Sequence, residues 1–149
     1  MKAFKFIGML FAAFALSFTA TSCGNDDDVD DIIEGIENGH IKASADLKKS
    51  SNELVLTIKI PGAYTEVTTA KFSNKLCTKY VIVTTFASDA LADKAWSEYQ
   101  AEEGDEIVKA VRNGKTITID LSEEFEGMEY DWVLATLEAE KAAIDRSYN

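Results

Sequence analysis

The chain has 149 residues, with 15 Lys and Arg against 26 Asp and Glu, which gives a formal net charge of −11 at pH 7. That length supports one ordinary domain and little more. The acidic balance argues against a nucleic-acid partner, because affinity for nucleic acid comes chiefly from Lys and Arg that neutralise phosphates. It also argues against docking on anionic lipid through a basic face.

The N-terminus has the pattern of an export signal. Two lysines precede an apolar run over residues 6–20. This run is shorter than the roughly 20 apolar residues of a spanning helix, but it fits the core of a signal peptide. Small residues then lead to Cys23. The segment resembles the lipobox of bacterial lipoproteins of the Bacteroidetes type, although Ala20 stands where the commonest lipobox has Leu.

The lipobox resemblance implies that residues 1–22 are a signal peptide and that Cys23 carries lipid. Several acyl chains would anchor the protein stably, because two lipid signals normally suffice for attachment to a membrane. We therefore expect a lipoprotein of the outer membrane. The alternative is an ordinary secretory signal, cut near residues 20–22, in which Cys23 is incidental.

An acidic tract follows the cysteine and resembles the surface-export signal of the same lipoproteins. Its members are Asp26, Asp27, Asp28, Asp30 and Asp31. The resemblance implies display at the cell surface. The other interpretation is a self-repelling spacer, with the protein on the periplasmic face. Residues 24–39 contain seven acidic residues and no basic ones, so we expect residues 23–39 to form a disordered tether before a single domain at 40–149.

Alternating residues predict strands at 41–47 and 54–60, joined as a hairpin, and a long strand at 76–86. The first face of this long strand is predicted to contain Leu76, Thr78, Tyr80, Ile82, Thr84 and Phe86. Val81 and Val83 lie on the second face of this last strand, which suggests a central strand covered partly on both sides. Residues 64–72 are rich in Thr and Val and look like a third strand, while residues 61–75 as a whole fit either a strand or an irregular crossing. Asn113-Gly114 predicts a type I′ hairpin that pairs Arg112 with Lys115 and therefore places Ala110 opposite Ile117.

Two helices complete the predicted domain. The first covers 89–103, with Ser88 or Asp89 as its N-cap and an apolar stripe that includes Trp96. The second covers 129–144, after a short turn at 122–127, and its inward side is predicted to contain Tyr130, Val133, Leu134, Leu137, Lys141 and Ile144. The fold class is α+β: an antiparallel β-sheet of five or six strands with two helices packed on one face.

The sequence offers little material for catalysis. His40 is the only histidine and lies where the tether meets the domain, a poor position for the base of a catalytic triad. A zinc site with several His and Cys ligands is excluded by residue count. Cys77 is predicted to be a small buried side chain rather than a reactive thiol. Carboxylates at 102–106 and 123–126 do not match a calcium loop, so no cofactor or metal is expected.

Trp132 and Trp96 are the candidate binding residues. Trp132 lies two residues from Tyr130 and cannot share its helix face. An exposed Trp often anchors a protein partner or stacks on a sugar ring, whereas the alternative is a Trp that covers the edge of its own core. We therefore expect a small non-catalytic module that binds a protein or a glycan. The alternatives are a structural or inhibitory subunit of an envelope complex and, with less support, a hydrolase that uses carboxylates.

Overall fold

The computed structural model describes residues 42–102 and 109–148, apart from the side chains of 98–102 and 147–148. The described residues form an antiparallel sheet of six strands and three helices, which confirms the predicted α+β class. The strands are β1 (Ser44–Lys49), β2 (Glu53–Ile60), β3 (Tyr64–Ser73), β4 (Leu76–Phe86), β5 (Lys109–Asn113) and β6 (Thr116–Asp120). Their order in the sheet is β1-β2-β3-β4-β6-β5. The helices are α1 (Asp89–Glu102), α2 (Ser122–Phe125) and α3 (Tyr130–Tyr148).

Tight turns make the first four strands a meander. Between β2 and β3, the Ala63 amide donates to the Ile60 carbonyl at 3.0 Å, and Gly62 has a φ of 80°. Pro at the first central position and a positive φ at the second are the features of a type II turn. Between β3 and β4, both Asn74 and Lys75 have positive φ, as a type I′ hairpin turn requires. Residues 64–73 are therefore a strand and not an irregular crossing.

The predicted register of the β5–β6 hairpin is wrong by two residues. Asn113 pairs with Thr116, and Ala110 faces Ile119 rather than Ile117. A type I′ turn would need positive φ at both central positions, but in the observed Gly114-Lys115 turn only Gly114, with a φ of 61°, has it. Because side chains alternate with a period of two, this shift leaves the apolar residues of both strands on their predicted face.

One face of the sheet is the core face, and all three described helices pack on it. The contacts are an ion pair of Asp93 in α1 with Arg112 in β5, a ring stack of Phe125 in α2 on Tyr80 in β4, and an edge contact of Tyr130 in α3 with Phe72 in β3. Phe72, Tyr80 and Phe125 are buried. The prediction that the helices share one face is therefore confirmed. In the described part of the chain, no helix is long and apolar enough to cross a membrane.

A β-bulge corrects the predicted inward face of β4. The register with β3 shifts so that Phe72 faces Cys77. Cys77 is therefore buried, as predicted, whereas Leu76 is 44 % exposed and Thr78 is exposed. From Tyr80 onward the predicted alternation is correct. β4 is also central, as predicted, but no described helix covers its second face.

Helix α1 begins where the sequence predicted. The Ser88 hydroxyl accepts a hydrogen bond from the Leu91 amide at 3.3 Å, which is the N-cap arrangement. Leu91, Ala92 and Ala95 are buried against the sheet, and Trp96 is half-buried. This packing places α1 over β4 and β6, while α3 lies over β1 and β2.

Candidate functional site

The centre of the core face is polar, although it lies under the helices. Glu66 and Thr68 on β3, and Thr84 on β4, are each at most 8 % exposed. Tyr80, also on β4, is fully buried, and its ring stacks on Phe125 with the centroids 3.8 Å apart. Buried polar side chains cost folding free energy unless they find partners. Their concentration under the helices therefore makes this region the first candidate site.

Helix α3 adds a second glutamate to the same place. Val133, Leu137 and Ile144 are buried, and Glu140 lies between the last two at the spacing that keeps all four on one helix face. The predicted inward face contained Lys141 but not Glu140, and in the structure both residues are half-buried. Lys141 extends along the helix and bonds Asp145 at 2.7 Å. Glu140 therefore occupies a position that an apolar residue would ordinarily fill.

We call Glu66, Tyr80, Thr84 and Glu140 the core cluster. The Thr84 hydroxyl donates to Oε2 of Glu66 at 3.3 Å. The Tyr80 hydroxyl and Oε2 of Glu140 are buried, and neither has a hydrogen-bond partner among the residues that the structure describes. Such groups lose the hydration they have in the unfolded chain and gain no bond in return.

The electrostatics of the core cluster favour protonated carboxyls. Burial raises the pKa of Glu66 from 4.5 to about 7, although the hydrogen bond from Thr84 opposes the shift. Burial and then the nearby Glu66 carboxyl raise the pKa of Glu140 from 4.5 to about 8. The pKa of Tyr80 is also raised, first by burial and then by Glu140 and Glu66. Both carboxyls can therefore exchange protons near neutral pH, which ordinary surface glutamates do not do.

The other side of the sheet is a second candidate surface, which we call the open face. It consists of the outward-facing side chains of β1–β6, with valines and threonines at its centre and charged residues around them. Val55, Val67, Val81 and Val83 are only half-buried, and Val111 is 65 % exposed. The described helices pack on the core face, and an ion pair between Glu123 of α2 and Lys109 of β5 reaches an open-face residue. An apolar area with a polar rim is typical of an interaction site.

The two predicted binding tryptophans lie on different helices. Trp132, on α3, is half-buried, and its ring centroid is 6.4 Å from that of Phe125. Its backbone carbonyl accepts a hydrogen bond from Thr136 at 3.0 Å. Trp96, on α1, is also half-buried. The contact with Phe125 is what a Trp at the edge of its own core would make, and a role of either Trp in binding stays a prediction.

The surroundings of Cys77 and of the described carboxylates do not favour a reactive site. Burial raises the pKa of the Cys77 thiol, which lowers the fraction of reactive thiolate. In the second carboxylate group, Glu123 accepts a bond from Lys109 at 2.8 Å, and Glu124 and Glu126 are exposed. Within residues 42–102 and 109–148, no three His, Cys, Asp or Glu side chains are arranged to hold a metal ion.

Several predicted sites lie outside the described residues. These are Cys23, His40, the acidic tract of Asp26, Asp27, Asp28, Asp30 and Asp31, and residues 103–106 of the first carboxylate group. Glu66 and Glu140 were not predicted as site residues. The sequence could have indicated both residues by their spacing. Glu66 alternates with Tyr64 and Thr68 on one face of a strand, and Glu140 follows Leu137 by three residues on one face of a helix.

The chain matches no protein-family model, no curated protein and no solved structure.

Proposed function

We propose that this chain is a small lipid-anchored module of the bacterial cell envelope, displayed at the cell surface, that binds a partner and catalyses no reaction. The observation that carries the binding role is the open face. All described helices pack on the opposite side of the sheet, so the half-buried valines of three strands and the exposed Val111 of a fourth remain accessible to a partner. Binding of a partner would remove this exposed apolar surface from water, which lowers the free energy of the complex.

The sequence supports the anchor and the location. An apolar run ends at Cys23, the acidic tract follows it, and both resemble the signals of surface lipoproteins. A tether of acidic residues would hold the domain away from the membrane, because like charges repel and extend the chain. This arrangement suits a domain that must reach a partner beyond the lipid surface.

Labelling with a clickable fatty-acid analogue tests the anchor. The wild-type protein should carry the label and sediment with membranes, whereas Cys23→Ser should lose both, because the thiol that accepts the lipid is gone. Cys77→Ala is the control, since Cys77 is 1 % exposed and lies within the sheet. It should be labelled like the wild type. Label that persists in Cys23→Ser would show that Cys23 is not the anchor.

Protease shaving of intact cells tests surface display. The domain should be removed while a periplasmic marker survives, because a surface protein is accessible without breaking the outer membrane. Replacing all five aspartates of the acidic tract by Asn should make the domain resistant to shaving. Replacing five acidic residues of the helices by Asn is the control. A domain that becomes accessible only after the membrane is broken would place the protein on the periplasmic side.

A further inference from the structure

The open face has a different charge from the rest of the molecule. Five lysines lie on it, against three acidic residues. The lysines are Lys48, Lys59, Lys71, Lys79 and Lys109, and the acidic residues are Asp46, Glu53 and Asp120. The three helices instead contain ten acidic and three basic residues. The protein is therefore polarised, with a basic sheet surface on one side and an acidic helical layer on the other.

Most of the lysines on the open face are accessible to carboxylates of a partner. Lys71 is 3.9 Å from Glu53, and Lys109 is 2.8 Å from Glu123, both at exposed positions. Lys48, Lys59 and Lys79 are exposed and form no ion pair with any other described residue. Exposed ion pairs contribute at most about 1 kcal/mol each, so a partner's carboxylates can replace the two that exist.

The centre of the open face decides the kind of partner. Its outward residues between the charges are valines and threonines, and none of them is Trp, Tyr or Phe. Glycan sites commonly stack a sugar ring on an aromatic side chain, which this surface lacks. A flat area of β-branched side chains instead suits the apolar centre of a protein interface. A second copy meeting the same face would bring lysines against lysines, which is unfavourable.

From these observations we propose that the open face binds a protein surface with an apolar centre and a rim of acidic side chains. This inference rests on the proposed binding function and specifies its partner. The lysines would steer and orient the acidic rim, and the valines would supply the area removed from water. Binding should therefore weaken as the salt concentration rises, because salt screens exposed charges.

A defined acidic polymer tests the inference without knowledge of the natural partner. The probe is a fluorescent random copolymer of glutamate and tyrosine, titrated into the full-length lipoprotein in a neutral detergent and followed by anisotropy. Poly-L-glutamate, which lacks apolar groups, should bind more weakly than the copolymer, and poly-L-lysine should not compete for the open face. Hydrogen exchange with the copolymer bound should slow in β2, β3, β4 and β6, and leave α1 and α3 unchanged.

Charge reversal supplies the matched comparison. Lys59→Glu combined with Lys79→Glu should weaken copolymer binding by about tenfold, as expected when two favourable charge contacts become repulsive. Lys75→Glu combined with Lys115→Glu changes the net charge equally, but these exposed lysines lie in hairpin turns outside the strands of the open face. That pair should bind nearly as well as the wild type.

Three results would overturn the inference: equal weakening by both pairs, protection of the helices instead of the sheet, or failure of the wild type to bind the copolymer. Sedimentation of the wild type as a dimer that Lys59→Glu with Lys79→Glu disrupts would also overturn it, because a second copy would then cover the open face. The anchor experiment is independent of these outcomes. If the wild type carries no lipid label but still binds the copolymer, the proposed location is rejected and the proposed acidic partner is retained.

Discussion

The free energy of unfolding is expected to fall as the pH rises from about 5 to about 8, because Glu66 is buried and Glu140, which is half-buried as a residue, has a buried carboxyl oxygen. Burial and, for Glu140, the nearby Glu66 raise their pKa values from 4.5 to about 7 and about 8. In this window the unfolded chain has released the two protons and the folded chain still holds them. Unfolding then releases protons, so higher pH favours the unfolded state.

A free energy of unfolding that falls with rising pH is the result expected when folding raises the pKa of a carboxyl group. The two glutamates contribute their full stability below the pKa of the unfolded chain, and this contribution is lost as the pH rises through the raised values. Asp120 behaves in the opposite way, because its hydrogen bonds with Ser122 lower its pKa, and its contribution is lost only in acid. One pKa unit corresponds to about 1.4 kcal/mol, so Glu66 alone accounts for about 3 kcal/mol across the window.

Glutamine variants should remove the pH dependence while they keep the shape of the side chain. Urea unfolding at pH 5 and pH 8.5 measures it, and we expect Glu66→Gln or Glu140→Gln to reduce the difference between the two pH values by about 3 kcal/mol. Each variant should also be more stable than the wild type at pH 8.5, since no buried charge then forms. At alkaline pH, where both carboxyls lose their protons, the core cluster would weaken the packing of α3 on the sheet.

Glu138→Gln is the control for this experiment. Glu138 is on the same helix, but it is exposed and bonds Lys49 at the surface, where such pairs contribute at most about 1 kcal/mol. It should leave the pH dependence unchanged. If all three glutamine variants and the wild type show one and the same pH profile, Glu66 and Glu140 are not buried with raised pKa values.

The second large effect is expected at Tyr80, where the ring and the hydroxyl should act in opposite directions. The ring is fully buried and stacks on Phe125, so Tyr80→Ala should lower the free energy of unfolding by about 4 kcal/mol through lost contacts and a cavity. Tyr80→Phe keeps the ring and removes a buried hydroxyl that has no described partner. It should raise the free energy of unfolding by about 1 kcal/mol.

Urea unfolding at pH 5 separates these two contributions, because both glutamates are then largely protonated. The comparison of Tyr80→Phe with Tyr80→Ala isolates the ring, and the comparison of Tyr80→Phe with the wild type isolates the hydroxyl. A Tyr80→Phe variant that is less stable than the wild type would show that the hydroxyl forms a hydrogen bond in solution, for which Glu140 would be the acceptor to test next.

Local patterns in the sequence predicted most of the elements correctly. Alternation identified β2 and most of β4, and Ser88 marked the start of α1, because these features depend on residues that are close in the chain. The same patterns left residues 64–72 undecided. They are a strand because the positive φ values of Asn74 and Lys75 close a hairpin. Neither position is Gly, so the sequence did not indicate this turn.

The site depended on long-range packing. Glu66 and Glu140 are 74 positions apart in the chain, and only the packing of α3 against the sheet brings their charges together. A helical-wheel argument could place either Glu140 or Lys141 toward the core, since the two positions differ by only one residue. Both are half-buried, and which of them brings its polar end to the core cluster follows from how the whole helix is rotated on the sheet.

By itself, the sequence determined the α+β class, the pairing of elements into hairpins and the placement of both helices on one face, because periodicity and turn residues act locally. The tertiary structure alone decided the strand order, the register of the β5–β6 hairpin, the burial of Glu66 and Glu140, and the charge difference between the open face and the helices. These features depend on residues that are distant in the chain, and no local pattern encodes which distant surfaces meet.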